Sequence, residues 1–379
     1  MKKIVLLAAA AGLSTVVMAD ALGTAPGTKA RAMGGAFTAI ANNTSALYFN
    51  PAGLIAWEKG VKPYGTFTAE IGSAVKLDVE AGRADMPASY DDFIDSYTNY
   101  FWGFSSFGKD VGFAIGSYSL NSLVLPYTVN GSTAYYTQEN KIISGAIGFK
   151  LTDSLYPGGG KISLGATLGY AQTNDFFEDT TIDYETGQVK ASSMLWSVGI
   201  KARVLESEDI NIDLGVNYRA ATEYEPDTYS SQNIVPWDIP AETALGVAVM
   251  IPTEFATITL AYDYKMTGYA DATDNANDDY IHTSLGAMED MITQSFGAEL
   301  AFSVLQLRAG YYSDELDGAN STDHKNSLTS SGISGGVGFS FGAWNIEGTV
   351  EQRHIETPYL SDVVDDDEVY YSASMNYTF

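Results

Sequence analysis

The sequence has no cysteine. That excludes disulfides, thiolate metal sites and cysteine nucleophiles, and it leaves no cysteine to carry a lipid anchor. It has no apolar run of the ~18 residues that a membrane-spanning helix needs. Cations are scarce: Lys and Arg total 20 against 47 Asp and Glu, for a net charge of −27. Such a surface does not bind phosphate backbones, so nucleic acid is not an expected partner. Histidine occurs three times, as His282, His324 and His354. The first two fall in polar loop-like stretches. His354 stands beside Arg353 and Glu356 with no nucleophile pattern around it, so a solvated histidine is favoured over a catalytic one. No phosphate-cradling loop follows a strand, and no Cys/His metal spacing is present. An enzyme is therefore not expected, nor is a cofactor or a bound metal.

What is present begins with an export signal. Lys2 and Lys3 precede an apolar stretch, Ile4 to Val17, and Val17-Met18-Ala19 sets small residues where a signal peptidase reads. Cleavage before Asp20 is expected, leaving a chain of 20–379 that is two charges more negative. Export without a helical anchor leaves a soluble periplasmic or secreted protein, or a transmembrane barrel. A chain without cysteine also suits passage through an oxidising compartment. With 37 Gly, 25 Tyr and 12% aromatics, the composition leans to the barrel.

Periodicity carries the assignment further. Ile210, Ile212, Leu214, Val216 and Tyr218 alternate with Asn211, Asp213, Gly215, Asn217 and Arg219. A strand sends successive side chains to opposite faces. Trp344, Ile346 and Val350 likewise oppose Asn345, Glu347, Thr349, Glu351 and Arg353, and Val369–Phe379 alternates to its end. A soluble sandwich alternates too. Here, though, the polar face is charged and the apolar face is flanked by aromatics, as a lumen and interfacial girdles require. About fourteen strands are expected, near 61–72, 97–107, 111–120, 138–151, 161–176, 190–204, 209–222, 240–251, 254–268, 291–302, 305–314, 330–341, 344–355 and 368–379. Their connections alternate between short ones (Gly108–Asp110, Thr152–Gly160, Leu205–Glu208, Pro252–Thr253, Ser303–Val304, Gly342–Ala343) and long ones (73–96, 121–137, 177–189, 223–239, 269–290, 315–329, 356–367). That asymmetry puts both ends of the barrel in the periplasm.

Lumenal charges are then expected at Lys201, Asp213, Arg219, Glu299, Arg308, Glu347, Glu351 and Arg353. The turn at Ser303–Val304 predicts that Phe302 pairs with Leu305, Leu300 with Leu307 and Glu299 with Arg308. By the same logic Lys201 should oppose Asp213. The acidic runs at 271–279 and 365–368 read as solvated loops. The first lacks the Gly and closing Glu of a calcium loop, although a cation bridging anionic lipid is the other reading.

Residues 20–60 do not read as strands. Ala30–Ile40 is small and apolar, Asn42-Asn43-Thr44-Ser45 is a turn or cap signal, and Leu47-Tyr48-Phe49-Asn50-Pro51-Ala52-Gly53-Leu54 follows. A segment too small for its own core must rest on something, and inside the barrel it would form a plug. The division expected is 1–19 signal peptide, 20–60 hatch and 61–379 barrel. Met33, Phe37, Ile40, Leu47, Tyr48, Phe49 and Leu54 are candidates to line a ligand pocket. The same residues would serve equally to pack the segment against the wall.

The Arg-Ala-Met-Gly-Gly-Ala run from Arg31 and the Asn-Pro-Ala-Gly-Leu run from Asn50 resemble the hatch of the long-chain fatty acid and hydrocarbon transporter (FadL/TodX) family. Trp237–Val247, with its Pro-Ala-Glu, and the stretches Phe296–Glu299 and Leu307–Tyr311 resemble later parts of its barrel. The likeness covers the hatch, the last third of the barrel and Phe379. It implies an outer-membrane barrel of fourteen strands that admits a hydrophobic small molecule passively and releases it sideways beside a kinked third strand. Asn50, Pro51 and Ala52 would sit against that kink, with Gly112 and Gly116 permitting it. The expected surroundings are outer-membrane lipid and lipopolysaccharide. The barrel-assembly machinery would read Phe379, and the chain would be a monomer. A general or polar-solute porin and a secretion-system scaffold remain as the alternatives.

Overall fold

The computed structural model describes residues 26–57, 66–78, 97–129, 132–152, 160–179, 184–226, 238–268, 290–316, 328–359 and 362–379. The first 25 residues and most of the long connections, with the acidic run at 271–279, His282 and His324, lie outside the described residues. The strands are β1 (Thr66–Asp78), β2 (Tyr97–Phe107), β3 (Val111–Val129), β4 (Ser132–Thr152), β5 (Lys161–Asp179), β6 (Tyr184–Glu206) and β7 (Asn211–Arg219). They continue as β8 (Glu242–Pro252), β9 (Thr257–Thr267), β10 (Met291–Ala301), β11 (Leu305–Leu316), β12 (Leu328–Phe341), β13 (Trp344–Tyr359) and β14 (Asp362–Thr378). Each pairs antiparallel with its sequence neighbours, and β1 pairs with β14, so the fourteen strands close into a barrel with no free edge. A two-residue stretch, Glu225–Pro226, adds a short pairing to β6.

The faces are inverted relative to a soluble protein. In β7, Asp213, Gly215, Asn217 and Arg219 point inward and are buried, while Leu214, Val216 and Tyr218 point outward and are exposed. The same holds around the ring: Phe104, Ile147, Trp196, Leu260, Phe296, Leu307, Val337 and Val350 are exposed, and Glu299, Arg308, Glu347, Glu351 and Arg353 are buried. A large apolar exterior over a charged interior is stable only in lipid, where closure satisfies every backbone group.

The wall is uneven. Strands β3 to β6 run for 19, 21, 19 and 23 residues, whereas β7 to β10 run for 9, 11, 11 and 11. A tilted strand crosses the bilayer in about 9–11 residues, so the β3–β6 sector stands well beyond it. This corrects three expected loops. Within stretches 121–137, 177–189 and 356–367 the described residues are paired strand, up to Val129↔Ser132, Asp179↔Tyr184 and Tyr359↔Asp362. The sequence alternates less there, while backbone pairing continues. Asn130-Gly131 between two β-rich runs was the hairpin signal for the first. β1 runs on to Asp78, past the expected end at residue 72, while its expected start at residue 61 lies outside the described residues.

The β10–β11 hairpin pairs Leu300 with Leu307 and Glu299 with Arg308, and Phe302 N donates to Leu305 O. Both registers are those the short turn predicts. The β6–β7 hairpin differs. Asp213 lies opposite Arg203, and Lys201 opposite Gly215, because a bulge at Val204 and a four-residue turn, Ser207–Ile210, shift the register by two. A shift of two preserves parity, so all the residues concerned still face inward.

Candidate functional site

Residues 26–57 fold into three fragments: α1 (Thr28–Ala32), α2 (Ala46–Phe49) and a 3₁₀ turn, Pro51–Leu54. Helices of four or five residues do not hold themselves together; the barrel wall does it for them. Asn50 caps the 3₁₀ turn, accepting from Ala52 N at 3.0 Å, with Pro51 at the first helical position. Gly34 and Gly35 reverse the chain after α1 with positive φ, 62° and 80°.

The segment touches the inner wall almost all the way round, and it does so at glycines. Gly112, Gly148, Gly165 and Gly199 stand opposite one another across β3, β4, β5 and β6. Leu54, Pro51, Ala52 and Asn50 lie against them so closely that a Cβ on any of the four would stand within 3.0 Å of the segment. On the other side Gly215 and Gly246 take Thr38 and Ala39, and Gly297 and Gly310 take Met33. Inward-facing glycines thus form a belt on which backbone meets backbone.

Polar wall residues bond the segment's own backbone. Asp263 Oδ2 accepts from Phe37 N and Thr38 N, both at 2.8 Å. Lys201 Nζ donates to Ile40 O at 2.7 Å, Ser163 Oγ to Ala52 O at 2.9 Å, Thr167 Oγ1 to Leu47 O at 3.2 Å and Thr349 Oγ1 to Thr28 O at 3.0 Å. Glu70 accepts from Thr44 N at 3.2 Å. Charges do the rest. Lys29 and Arg308 share Glu299 at 3.2 and 2.6 Å, and Arg308 reaches Glu347 at 2.9 Å. Arg31 and Arg353 share Glu351 at 3.6 and 3.1 Å. Arg203 pairs with Asp213 at 2.7 Å, and Arg219 with Glu242 at 3.1 Å. The eight lumenal charges expected from the sequence are all inside, but they are buried and paired rather than facing an open water channel.

Two expected placements need correction. Asn50, Pro51 and Ala52 do not lie against β3. Asn50 Nδ2 donates to Thr38 O at 2.9 Å and to Ile200 O, on β6, at 3.0 Å, and Pro51 and Ala52 rest on Gly165 of β5. It is Leu54 and Leu47 that meet Gly112 and Gly116 of β3. Thr44 and Leu47 before the triplet and Leu54 after it meet β1 to β3, and the capped turn at 50–52 between them swings across to β5 and β6. The second correction concerns the pocket. A cavity of about 60 Å³ lies between the segment and β8–β11 and β13. It is smaller than the ~150 Å³ that holds a benzene ring, and Asp263, Lys265, Asp314, Glu242 and Arg31 line it. Of the seven candidate pocket residues, Tyr48 and Phe49 reach it; Met33, Phe37, Ile40, Leu47 and Leu54 are buried as packing.

Asn50 is wholly buried, and its replacement strands two carbonyls and one amide. Asn50→Ala should lower unfolding stability in liposomes by about 2–4 kcal/mol, read as the urea midpoint. Asn50→Asp keeps the cap acceptor but loses both donors and should fall nearly as far. An unchanged midpoint in both would mean that the amide does not anchor the segment.

The wall has one thin seam. β1 and β2 pair over eleven residues, and β3 and β4 over seventeen, but β2 and β3 pair only over Trp102–Ser106 against Phe113–Ser117. Past Ser117 the strands part, and β3 carries an irregularity between Ser119 and Ser122. Tyr97–Phe101 keeps β1 on one side. Phe101 and Tyr118 flank the parting on the inside, and Tyr118 stacks edge-on against Tyr48 at 5.9 Å. His354, the one described histidine, lies 2.9 Å from Asp367, both half exposed.

These features define a closed outer-membrane β-barrel whose lumen is filled by its own N-terminal segment. The particular fold is that of the FadL/TodX-type barrels. The toluene transporter TbuX of Ralstonia pickettii matches with a TM-score of 0.63 at 14% identity, over 94% of this chain and 99% of that one. The toluene transporter TodX of P. putida matches at 0.60 and 14%, over 94% and 98%. A FadL homologue of Pseudomonas aeruginosa matches at 0.58 and 12%, over 94% and 99%. No family model and no curated protein sequence matches the chain.

Proposed function

We propose that the protein is a passive outer-membrane channel for hydrophobic small molecules of the hydrocarbon or long-chain fatty acid kind, and not an enzyme. In this reading residues 1–19 are a signal peptide, 20–60 a hatch and 61–379 the barrel. Both ends face the periplasm, Phe379 is the handle for barrel assembly, and the chain works as a monomer among lipid and lipopolysaccharide. The fold shared with two toluene transporters supports the class of cargo.

The parted β2–β3 seam carries the route. Where the two strands part, the wall is no longer sealed strand to strand, which suits a site where cargo passes between lumen and lipid. Leu47, Tyr48, Phe101 and Tyr118 give the hatch and the wall an apolar approach to it, all four buried. Each square ångström of apolar surface that cargo buries contributes about 25 cal/mol, and leaving sideways spares the cargo a step through water. The paired charges of the opposite wall offer no such path.

The test uses a chain without cysteine. Phe101→Cys and Tyr118→Cys, bridged by a short bis-methanethiosulfonate, should cut toluene and oleate uptake by about tenfold, with recovery on reduction. Uptake that ignores the bridge would end the lateral route. Cells with and without the unmodified protein taking up both tracers equally would end the channel reading itself.

A further inference from the structure

The cavity between the hatch and β8–β11 and β13 is lined by four carboxylates, Glu242, Asp263, Asp314 and Glu351, and by two cations, Arg31 and Lys265. Glu242 and Glu351 take up both cations. Arg31 lies 3.6 Å from Glu351 and Lys265 3.6 Å from Glu242, and Arg353 and Arg219 hold the same two carboxylates from outside the lining, each at 3.1 Å. Asp263 and Asp314 stand apart from this pairing, only 5% and 2% exposed. Asp263 gives Oδ2 to the hatch amides of Phe37 and Thr38, and Asp314 gives Oδ1 to the Thr293 hydroxyl. Asp263 Oδ1 and Asp314 Oδ2 are buried and have no hydrogen-bond donor among the described residues. A folded protein rarely leaves such an oxygen without one.

Register brings the two carboxylates to one stretch of wall. Asp263 lies opposite Ser295, and Thr293, one inward position along, lies opposite Asp314. On the hatch side the cavity meets Tyr48 and Phe49, whose rings stand 4.9 Å apart. Both rings belong to the apolar cluster that holds Leu47, Phe101 and Tyr118. A hydrophobic body lying along that cluster brings one end to the cavity. A volume of about 60 Å³ is too small for a ring but has room for a few water-sized groups, so it suits a head and not a body. An ionised carboxylate accepts hydrogen bonds and cannot donate them. The head that fits therefore donates and carries no negative charge, whereas a carboxylate head brings no donor to either oxygen.

We propose that this cavity is a head-group site for a hydrophobic molecule whose head is a hydrogen-bond donor without negative charge, the hydroxyl of an alcohol or the ammonium of an amine, received by Asp263 Oδ1 and Asp314 Oδ2. The inference rests on the hydrophobic-channel reading for its cargo and narrows it: among chains of equal length, the fatty acid anion is the one this site disfavours. The full chain in dodecyl dimethylamine oxide micelles, whose head accepts hydrogen bonds but does not donate them, is given 1-octanol, octylamine, octanoate or heptyl methyl ether. The bound fraction is read by native mass spectrometry. Octanol and octylamine should be retained at least about tenfold better than octanoate and the ether. Asp314→Asn, which keeps the shape and an acceptor for Thr293, should cut octylamine retention about fivefold or more and leave octanoate no weaker. Octanoate retained as well as octylamine overturns the site, because Lys265 would then be the group that receives the head. No probe retained, or an unchanged order in Asp314→Asn, leaves water as the donor and overturns it equally. If Asp314→Asn does not assemble, the order on the unmodified protein decides alone. The expected order in a protein that adds nothing to toluene and oleate uptake by cells would keep the site and remove the channel reading.

Discussion

Gly165→Val will unseat the hatch and turn a filled barrel into a leaking one. Gly165 faces the lumen in the middle of the glycine belt, between Gly148 and Gly199. A Cβ there would stand 2.3 Å from Ala52 N and from the Pro51 carbonyl carbon. Both are backbone atoms of a capped turn and cannot rotate aside. The outer face and the strand pairing are untouched, and valine is well suited to a strand, so the barrel itself should assemble. The hatch must then lift from β5, losing the Ser163 and Asn50 bonds with it. In planar bilayers the variant should show open-channel steps at least about tenfold above the unmodified protein, since cargo-wide space in a barrel of this size conducts ions once its plug is gone. Gly165→Ala carries the same first collision and should leak in part. A silent, normally stable Gly165→Val would mean that the segment does not rest on this wall.

Arg353→Met should cost the most stability of any lumenal substitution. Arg353 has no exposed surface. Its guanidinium donates to the Tyr312 hydroxyl at 2.6 Å, pairs with Glu351 at 3.1 Å and Glu368 at 3.8 Å, and lies over the Tyr370 ring at 4.6 Å. Methionine fills similar volume but leaves two buried carboxylates short of a cation. Breaking a buried pair from one side costs about 3–5 kcal/mol, and the loss should appear in urea unfolding in liposomes. Arg353→Met combined with Glu368→Gln removes charge from both sides and should recover part of it. The double variant falling as far as the sum of the singles would show no coupling between the two groups. A neutral Arg353→Met would show that water reaches this part of the lumen.

Several features of this lumen were legible beforehand because they are local. Parity along β7 and β13 told which residues face inward, since side chains alternate whatever the strand's neighbours are. A short turn and parity together were enough for Glu299 and Arg308 to be paired correctly. The same reasoning put Lys201 directly opposite Asp213; a bulge at Val204, which leaves no mark in the alternation, moves it one inward position along, and its Nζ still lies 3.8 Å from Asp213. The glycine belt was partly visible: Gly199, Gly215, Gly246, Gly297 and Gly310 sit at inward parity, where a barrel interior otherwise carries polar side chains. Read as a set, they mark where another backbone approaches. Asp263, Glu70, Ser163, Thr167 and Thr349, which bond the hatch backbone, look in sequence like any other lumenal polar residue.

By itself the sequence determined that the chain makes a barrel with a polar inside, about how many strands it has, and that an N-terminal stretch without strand periodicity must find its core elsewhere. All of these follow from the side-chain period and from the balance of apolar and polar surface. Which wall receives which part of that stretch was decided only in three dimensions. Asn50 meets β6 and not β3, Tyr224 reaches Asn140 across two strands, and β2 parts from β3 after Ser117. Each depends on how the ring closes: its stagger, its diameter, and the path of a plug that touches nearly every strand at once. Bonds between the plug and the wall join residues from 26 to 321 positions apart along the chain, and no local period encodes them.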